Sequence, residues 1–185
     1  MDKNKLKQLN EKRMLLQVEL RLKEIQELIK AQLTYLWDQE FSYTLHYEHE
    51  YLNWIKLNVP IRKRDGYDGV YDDFQIDVDD SLCKDSVSYA EKEFHSEHFK
   101  AEFNAFLSDE IGLVLCYSGE EPEIEISLRA FLSNPSLFFA RPENWIITKD
   151  KQSIIEYIWE QGVIRFIQLN NGKLSLRKII TVKVD

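Results

Sequence analysis

The four histidines are the residues whose spacing most clearly suggests chemistry, because they form two His-x-x-His pairs, His46/His49 and His95/His98. Imidazole nitrogens bind zinc and other transition metals, so two such pairs could supply four ligands. The first pair falls in a predicted strand, where residues three apart point to opposite faces and cannot chelate together. The second pair falls on a predicted helix, where residues three apart are neighbours. A metal-dependent enzyme that uses His95 and His98 is an alternative hypothesis, but the favoured interpretation has no metal site and no cofactor.

Aspartate is concentrated in residues 65–80, where seven of the sixteen residues are Asp. Calcium binding by an EF-hand loop needs oxygen ligands at positions 1, 3 and 5, Gly at position 6 and Glu at position 12. A loop that starts at Asp77 has Leu82 at the sixth position and Ser88 at the twelfth, and a loop that starts at Asp68 fails as well. These carboxylates are therefore predicted to be solvated or to contact another protein.

Candidate nucleophiles lack the partners that activate them. Ser118 follows Tyr117 and lacks the first Gly of a nucleophile elbow. Cys83 has acidic neighbours, and negative charge raises the pKa of a thiol instead of lowering it. The sequence therefore predicts that the protein is not an enzyme.

Charge is distributed very unevenly along the chain. Residues 65–125 contain 18 Asp and Glu against three Lys, a local charge of −15, whereas the whole chain of 185 residues has a net charge of −8. Such a field attracts cationic partners and repels phosphate. We expect a protein partner with a basic surface and no direct binding of nucleic acid, although Arg62-Lys63-Arg64 is basic. The residues predicted to contact the partner are acidic: Asp72, Asp73, Asp77, Asp79, Asp80, Glu120, Glu121 and Glu123.

The function class that this charge favours is inhibition of a basic protein such as a nuclease. Small acidic inhibitors place carboxylates where the target enzyme expects phosphates, and opposite fields raise their association rate. Immunity proteins, antitoxins and phage anti-defence proteins work in this way, and the chain shares their size and charge. A structural or assembly protein held together by a coiled coil is the alternative.

The N-terminal 38 residues are predicted to form one long helix, because strong helix formers dominate and Gly and Pro are absent before Pro60. An a/d series of apolar residues predicts self-association into a homodimer. Packing of the helix on its own domain remains the other interpretation. The predicted oligomerisation residues are Leu15, Val18, Leu22, Ile25, Ile29 and Leu36.

Residues 39–185 are predicted to form a single α+β domain. Alternating apolar residues over 41–61 predict strands, a capping box at Ser88 predicts an amphipathic helix over 88–109, and alternation over 123–132 predicts another strand. Turn residues including Asn170-Asn171-Gly172 divide the last 40 residues into a β-meander. The expected fold is a long, coiled-coil-like N-terminal helix, a mainly antiparallel sheet and one amphipathic helix packed on it.

The cellular location is predicted to be the cytoplasm. The first residues contain no apolar signal-peptide region, and no stretch approaches the ~20 apolar residues that cross a bilayer. Two cysteines, Cys83 and Cys116, do not form a disulfide framework, which is typical of a reducing compartment.

Overall fold

The computed structural model describes residues 3–63, 74–108, 111–117, 120–139, 144–170 and 172–183. Five α-helices lie in these residues: α1 Lys3–Asp38, α2 Glu50–Asn58, α3 Glu97–Phe106, α4 Leu128–Ser133 and α5 Pro135–Phe138. The ten strands are β1 Tyr43–His46, β2 Ile61–Lys63, β3 Phe74–Ile76, β4 Ser86–Ala90, β5 Gly112–Tyr117, β6 Glu120–Ser127, β7 Asn144–Thr148, β8 Ser153–Ile158, β9 Val163–Asn170 and β10 Lys173–Lys183. Short 3-10 turns lie at Asp80–Leu82, Glu91–His95 and Trp159–Gln161.

Eight strands form the central sheet, in the order β1-β6-β5-β7-β8-β9-β10-β4. Neighbouring strands are antiparallel except that β4 is parallel to β10. Strands β2 and β3 form a separate antiparallel pair. The long N-terminal helix, the mainly antiparallel sheet and the C-terminal meander β7–β10 confirm the predicted α+β fold.

Apolar side chains are buried on both faces of the sheet, as alternation along β5 shows. Leu113, Leu115 and Tyr117 belong to a cluster that also holds buried residues of α1, α3, α4 and α5. Val114 and Cys116 belong to a second cluster, which holds buried residues of α2 and β3. Successive side chains of a strand point to opposite faces, so the sheet is the middle layer between these two sets of elements.

The prediction of strands throughout residues 41–61 is wrong. Only Tyr43–His46 and Ile61–Lys63 are extended, and α2 lies between them. Tyr51, Ile55 and Val59 are buried, and their spacing of four fits a helical face as well as one face of a strand. Apolar residues at odd positions could not separate the two structures here.

The helix predicted over residues 88–109 begins later. Residues 86–90 form β4, and α3 begins after Ser96, whose hydroxyl accepts a hydrogen bond from the Phe99 N–H at 3.1 Å. The strand predicted over 123–132 likewise ends at Ser127, whose hydroxyl caps α4 through the Ala130 N–H. In both places a serine that caps a helix fixes the boundary.

The C-terminal half of α1 packs on its own domain. Val18, Ile25, Ile29 and Leu36 are buried within the single chain, so the prediction that they form an oligomerisation seam is wrong. Leu22 is half-buried on the same face, and only Leu15, with 63% of its surface exposed, remains open to solvent. These residues follow a heptad pattern, but the surface that covers them is the sheet and helices of their own chain and not a second copy.

Gln32 interrupts that seam in the sequence and anchors it in the structure. Its side-chain N–H donates to the Leu137 carbonyl at 2.9 Å, and its carbonyl accepts from the Tyr117 hydroxyl at 2.7 Å. A buried amide with both groups paired avoids the cost of an unsatisfied polar group.

Among the described residues, no helix combines the length and the apolar character needed to cross a bilayer.

Candidate functional site

The aspartates that follow β3 are the predicted partner-contacting residues that the structure brings together. Strand β3 packs flat on the sheet because Phe74 and Ile76 are buried and the Phe74 ring stacks on the Trp145 ring at a centroid distance of 4.2 Å. The chain then leaves the sheet, and Asp77, Asp79 and Asp80 are exposed. The buried strand β3 therefore fixes the point at which the segment that carries the three aspartates leaves the sheet.

A buried ion pair lies directly beneath these aspartates. Glu156 of β8 and Arg165 of β9 are paired across the two strands, and their side chains are 1% and 4% exposed. The Arg165 guanidinium also donates to the Ile76 carbonyl at 2.6 Å and to the Asp80 carboxylate at 2.9 Å. Burial raises the pKa of the Glu156 carboxyl, and Arg165 together with the Ile76 and Trp145 N–H donors offsets part of that increase. The pair thus holds β3 and the following turn on the sheet.

The acidic groove is the open depression of about 550 Å³ above this pair, lined by Arg62, Gln75, Ile76, Asp77, Val78, Asp79, Asp80, Ser81, Gln161 and Arg165. Arg62 pairs with Asp77 at 2.5 Å and Arg165 pairs with Asp80. Asp79 accepts hydrogen bonds from the Ser81 hydroxyl and N–H at 2.6 and 2.9 Å, which lower its pKa. Three carboxylates and two guanidiniums therefore face the groove, which is less negative than the aspartates alone predict.

Of the other predicted partner-contacting residues, Glu123 is the one whose side chain the structure describes. Asp72 and Asp73 lie outside the described residues, as do the side chains of Glu120 and Glu121. Glu123 is fully buried, so the prediction that it contacts a partner is wrong. A carboxyl on a strand of alternating Glu and Ile was expected to face solvent, but α2 covers this face of β6.

Glu123 instead caps α2 from outside the helix. Its two oxygens accept from the backbone N–H groups of Tyr51 and Leu52 at 2.9 and 2.7 Å. His49 at the N-cap is in the left-handed conformation, with φ 51° and ψ 44°, and its side chain makes no capping hydrogen bond. A helix start without its own cap leaves N–H groups unsatisfied, and the strand supplies the acceptor.

Cations from other parts of the chain also pair with acidic residues of the central third. Lys149 donates to Glu125 at 2.7 Å, and His46 Nε2 lies 2.9 Å from the other oxygen of the same carboxylate. Lys178 of β10 is paired with Glu102 and lies 3.2 Å from Asp85. Part of the local charge of the acidic segment is therefore neutralised within the fold.

The two His-x-x-His pairs do not assemble into one site. His95 lies on a 3-10 turn and His98 on α3, and both are exposed. His95 Nε2 lies 3.3 Å from the Ser136 hydroxyl. Over the described ranges, no group of three or more His, Cys, Asp or Glu side chains is placed to hold a metal ion.

The Glu125 carboxylate should make stability depend on pH in the acid range. Burial raises its pKa, but the hydrogen bonds from Lys149 and His46 outweigh burial, and the pKa lies below its ordinary value of 4.5. A lowered pKa contributes stability that is complete above pH 4.5 and is lost as the pH falls through the lowered value. Near neutral pH, we expect the free energy of unfolding of Glu125→Gln to be about 1 kcal/mol lower than that of wild type. This difference should disappear as the pH falls below 4.5.

Urea unfolding at neutral and acidic pH measures that difference. Glu97→Gln is the matched control, because the Glu97 side chain is 89% exposed and pairs with Lys100 one turn away. It should match wild type at both pH values. A Glu125→Gln difference that persists unchanged in acid would contradict the assigned role.

Glu156 and Arg165 are the site residues that sequence analysis missed. Their signal is one charged residue inside each of two otherwise apolar strands, Ile154-Ile155-Glu156 and Arg165-Phe166-Ile167. Such residues are almost never buried unless they are paired. An acidic residue in one apolar strand and a basic residue in the next therefore indicate a buried ion pair.

Comparison with protein families, with curated proteins and with solved structures finds no match to this chain. Function is therefore inferred from geometry, charge and burial.

Proposed function

We propose that the protein is a non-enzymatic protein-binding module that inhibits a basic protein such as a nuclease, in the manner of immunity proteins, antitoxins and phage anti-defence proteins. The observation that carries the proposal is the acidic groove, in which Asp77, Asp79 and Asp80 lie within four residues directly after β3, a strand that is packed on the sheet. Fixed carboxylates lose little freedom on binding, which favours affinity.

Each carboxylate of the groove keeps capacity for a partner. An ionised carboxylate has about four acceptor positions, and the bonds to Arg62, Ser81 and Arg165 occupy only some of them. The Arg62 side chain is 70% exposed, so a cation of the partner can replace it beside Asp77 without uncovering a buried charge. Asp80 is different, because Arg165 beneath it is fixed by Glu156.

Long-range attraction and local recognition have separate origins in this proposal. The net charge of −8 steers a basic partner towards the molecule, and salt screens this effect over about 10 Å. Asp77 and Asp79 provide the contacts that select the partner. The proposed location is the cytoplasm, which suits the free cysteines Cys83 and Cys116.

The test begins with capture of partners from a lysate of the native host, followed by titration of the purified partner. Asp77→Asn/Asp79→Asn is the informative variant, because Asn still caps the turn at Asp80–Leu82 while both charges are lost. We expect its affinity for the partner to fall about tenfold or more.

Glu91→Gln/Glu97→Gln is the matched control, since it removes the same charge from two exposed residues outside the groove. It should bind nearly as well as wild type. Equal affinity of wild type and the Asp77→Asn/Asp79→Asn variant would refute recognition through the groove. Equal losses in both variants would show that net charge alone attracts the partner.

A further inference from the structure

The N-terminal half of α1 carries an apolar surface that its own domain does not cover. Every residue from Lys5 to Gln17 is exposed. Leu6, Leu9, Leu16 and Leu20 are 45%, 46%, 56% and 54% exposed. With Arg13 between them they are spaced three and four residues apart, which places them in one line along the helix. We call this line the N-terminal stripe.

The N-terminal stripe faces away from the domain. Val18 belongs to the buried seam of α1. Residues two positions apart in an α-helix differ by about 200° in direction, so Leu16 and Leu20, each two positions from Val18, point to the opposite side. The same line continues beyond Leu20 as Lys23, Glu27, Lys30 and Thr34, all exposed. The face is therefore apolar only over residues 6–20. Polar residues occupy the rest of the same exposed line, so exposure to solvent does not explain the leucines.

We propose that the N-terminal stripe pairs two copies of the chain as a short antiparallel coiled coil. In the heptad that this spacing defines, Leu6, Arg13 and Leu20 occupy a positions and Leu9 and Leu16 occupy d positions. An antiparallel arrangement places Leu9 on Leu20 of the second copy and Arg13 on Leu16 of the second copy. Each contact occurs twice because of the two-fold axis.

Charge favours a second copy and this orientation. Lys12 and Glu19 occupy g positions beside the stripe, and the antiparallel arrangement brings Lys12 of each copy next to Glu19 of the other. A parallel pair would instead oppose Arg13 with Arg13 at an a position and Lys12 with Gln17. The antiparallel pair thus gains two attractive contacts and avoids one repulsive contact.

The anchored half of α1 makes so short a coiled coil feasible. Residues 6–20 span only about 21 Å, and isolated helices of about 15 residues are marginal in water. Here the helix is already nucleated, because Ile25, Ile29 and Leu36 are packed in the core of the domain. Association therefore orders few additional residues, and we expect a dimer that dissociates in the micromolar range.

Sedimentation equilibrium of the full chain tests the pairing. Wild type should show a monomer–dimer equilibrium, and Leu16→Glu should be monomeric at the same concentrations. Lys12→Glu and Glu19→Lys should each raise the dissociation constant about tenfold, since each replaces two attractive contacts by two repulsive ones. The double variant Lys12→Glu/Glu19→Lys should return to within about threefold of wild type.

The control exchanges Lys7 and Glu11, which pair with each other on the side of the helix away from the N-terminal stripe. The variant Lys7→Glu/Glu11→Lys keeps that pair and the net charge, and it should dimerise like wild type. A monomeric wild type overturns the proposal, and so does a dimer that persists in Leu16→Glu. Failure of the Lys12→Glu/Glu19→Lys variant to recover overturns the antiparallel orientation.

The proposal does not depend on the acidic groove. Asp77→Asn/Asp79→Asn should dimerise as wild type does, since both substitutions lie outside α1. Loss of partner binding without loss of the dimer would separate the two surfaces.

Discussion

Replacement of Arg165 by Met should lower the free energy of unfolding by about 3–5 kcal/mol. Met fills a similar volume but donates no hydrogen bond, so the Glu156 carboxyl, which is 1% exposed, loses its cationic partner inside the protein. The Ile76 carbonyl and Asp80 also lose the donors that Arg165 supplies. Urea unfolding followed by far-UV circular dichroism measures the change.

Two further variants separate this mechanism from a general loss of volume. Glu156→Gln/Arg165→Met should be more stable than Arg165→Met alone, because Gln removes the buried charge while its carbonyl can still accept from the Ile76 N–H. Arg62→Met makes the same change at a side chain that is 70% exposed, and it should cost at most about 1 kcal/mol. A loss for Arg165→Met no larger than that of Arg62→Met would show that the buried pair does not hold β3.

The same variant connects stability to the proposed function. Arg165 is the only described residue of the groove that contacts β3, β8 and Asp80 together. Without it, Asp77 and Asp79 lose the support that fixes their position above the sheet. We therefore expect partner affinity to fall in Arg165→Met even under conditions in which most molecules remain folded.

The C-terminal meander was predictable because its signals are local. Strands β7 to β10 are apolar runs separated by turn residues, and each pairs with the next along the chain. Gly162 shows how strictly one turn depends on its residue type. Its φ is +59°, and a Cβ atom there would lie 2.5 Å from the Val182 carbonyl oxygen. Consecutive antiparallel strands need no distant contact to define their order.

The acidic groove was only half predictable, because its neutralising residues come from distant parts of the chain. The aspartates are visible as a sequence cluster, but Arg165 lies 85 residues from Asp80 and 89 residues from Ile76. A count of charges over residues 65–125 cannot include a cation that reaches the segment from another strand. The packing of α1 on its own core has the same origin, since a heptad pattern does not specify which surface covers it.

Removal of the Glu123 carboxyl should be the second large effect, because its acceptors cannot be replaced by water. In Glu123→Ala the N–H groups of Tyr51 and Leu52 stay buried without an acceptor, and each such group costs about 1–3 kcal/mol. We expect a total loss of about 3 kcal/mol in the free energy of unfolding, with faster hydrogen exchange at these two amides. Glu123→Gln keeps one acceptor oxygen and should lose about half as much.

A destabilisation that arises from the lost cap must be concentrated at the start of α2. Exchange at Tyr51 and Leu52 should therefore accelerate more than exchange in β9, which lies on the far side of β5, β7 and β8 in the sheet. Glu97→Ala provides the control, since it removes an exposed carboxylate without touching a buried N–H group. Uniform acceleration throughout the chain would instead indicate a global loss of stability that is not concentrated at the cap. Helix α2 covers Cys116 and Trp145 on this face of the sheet. The cap that Glu123 supplies therefore also protects the core under β3, the strand that precedes the acidic groove.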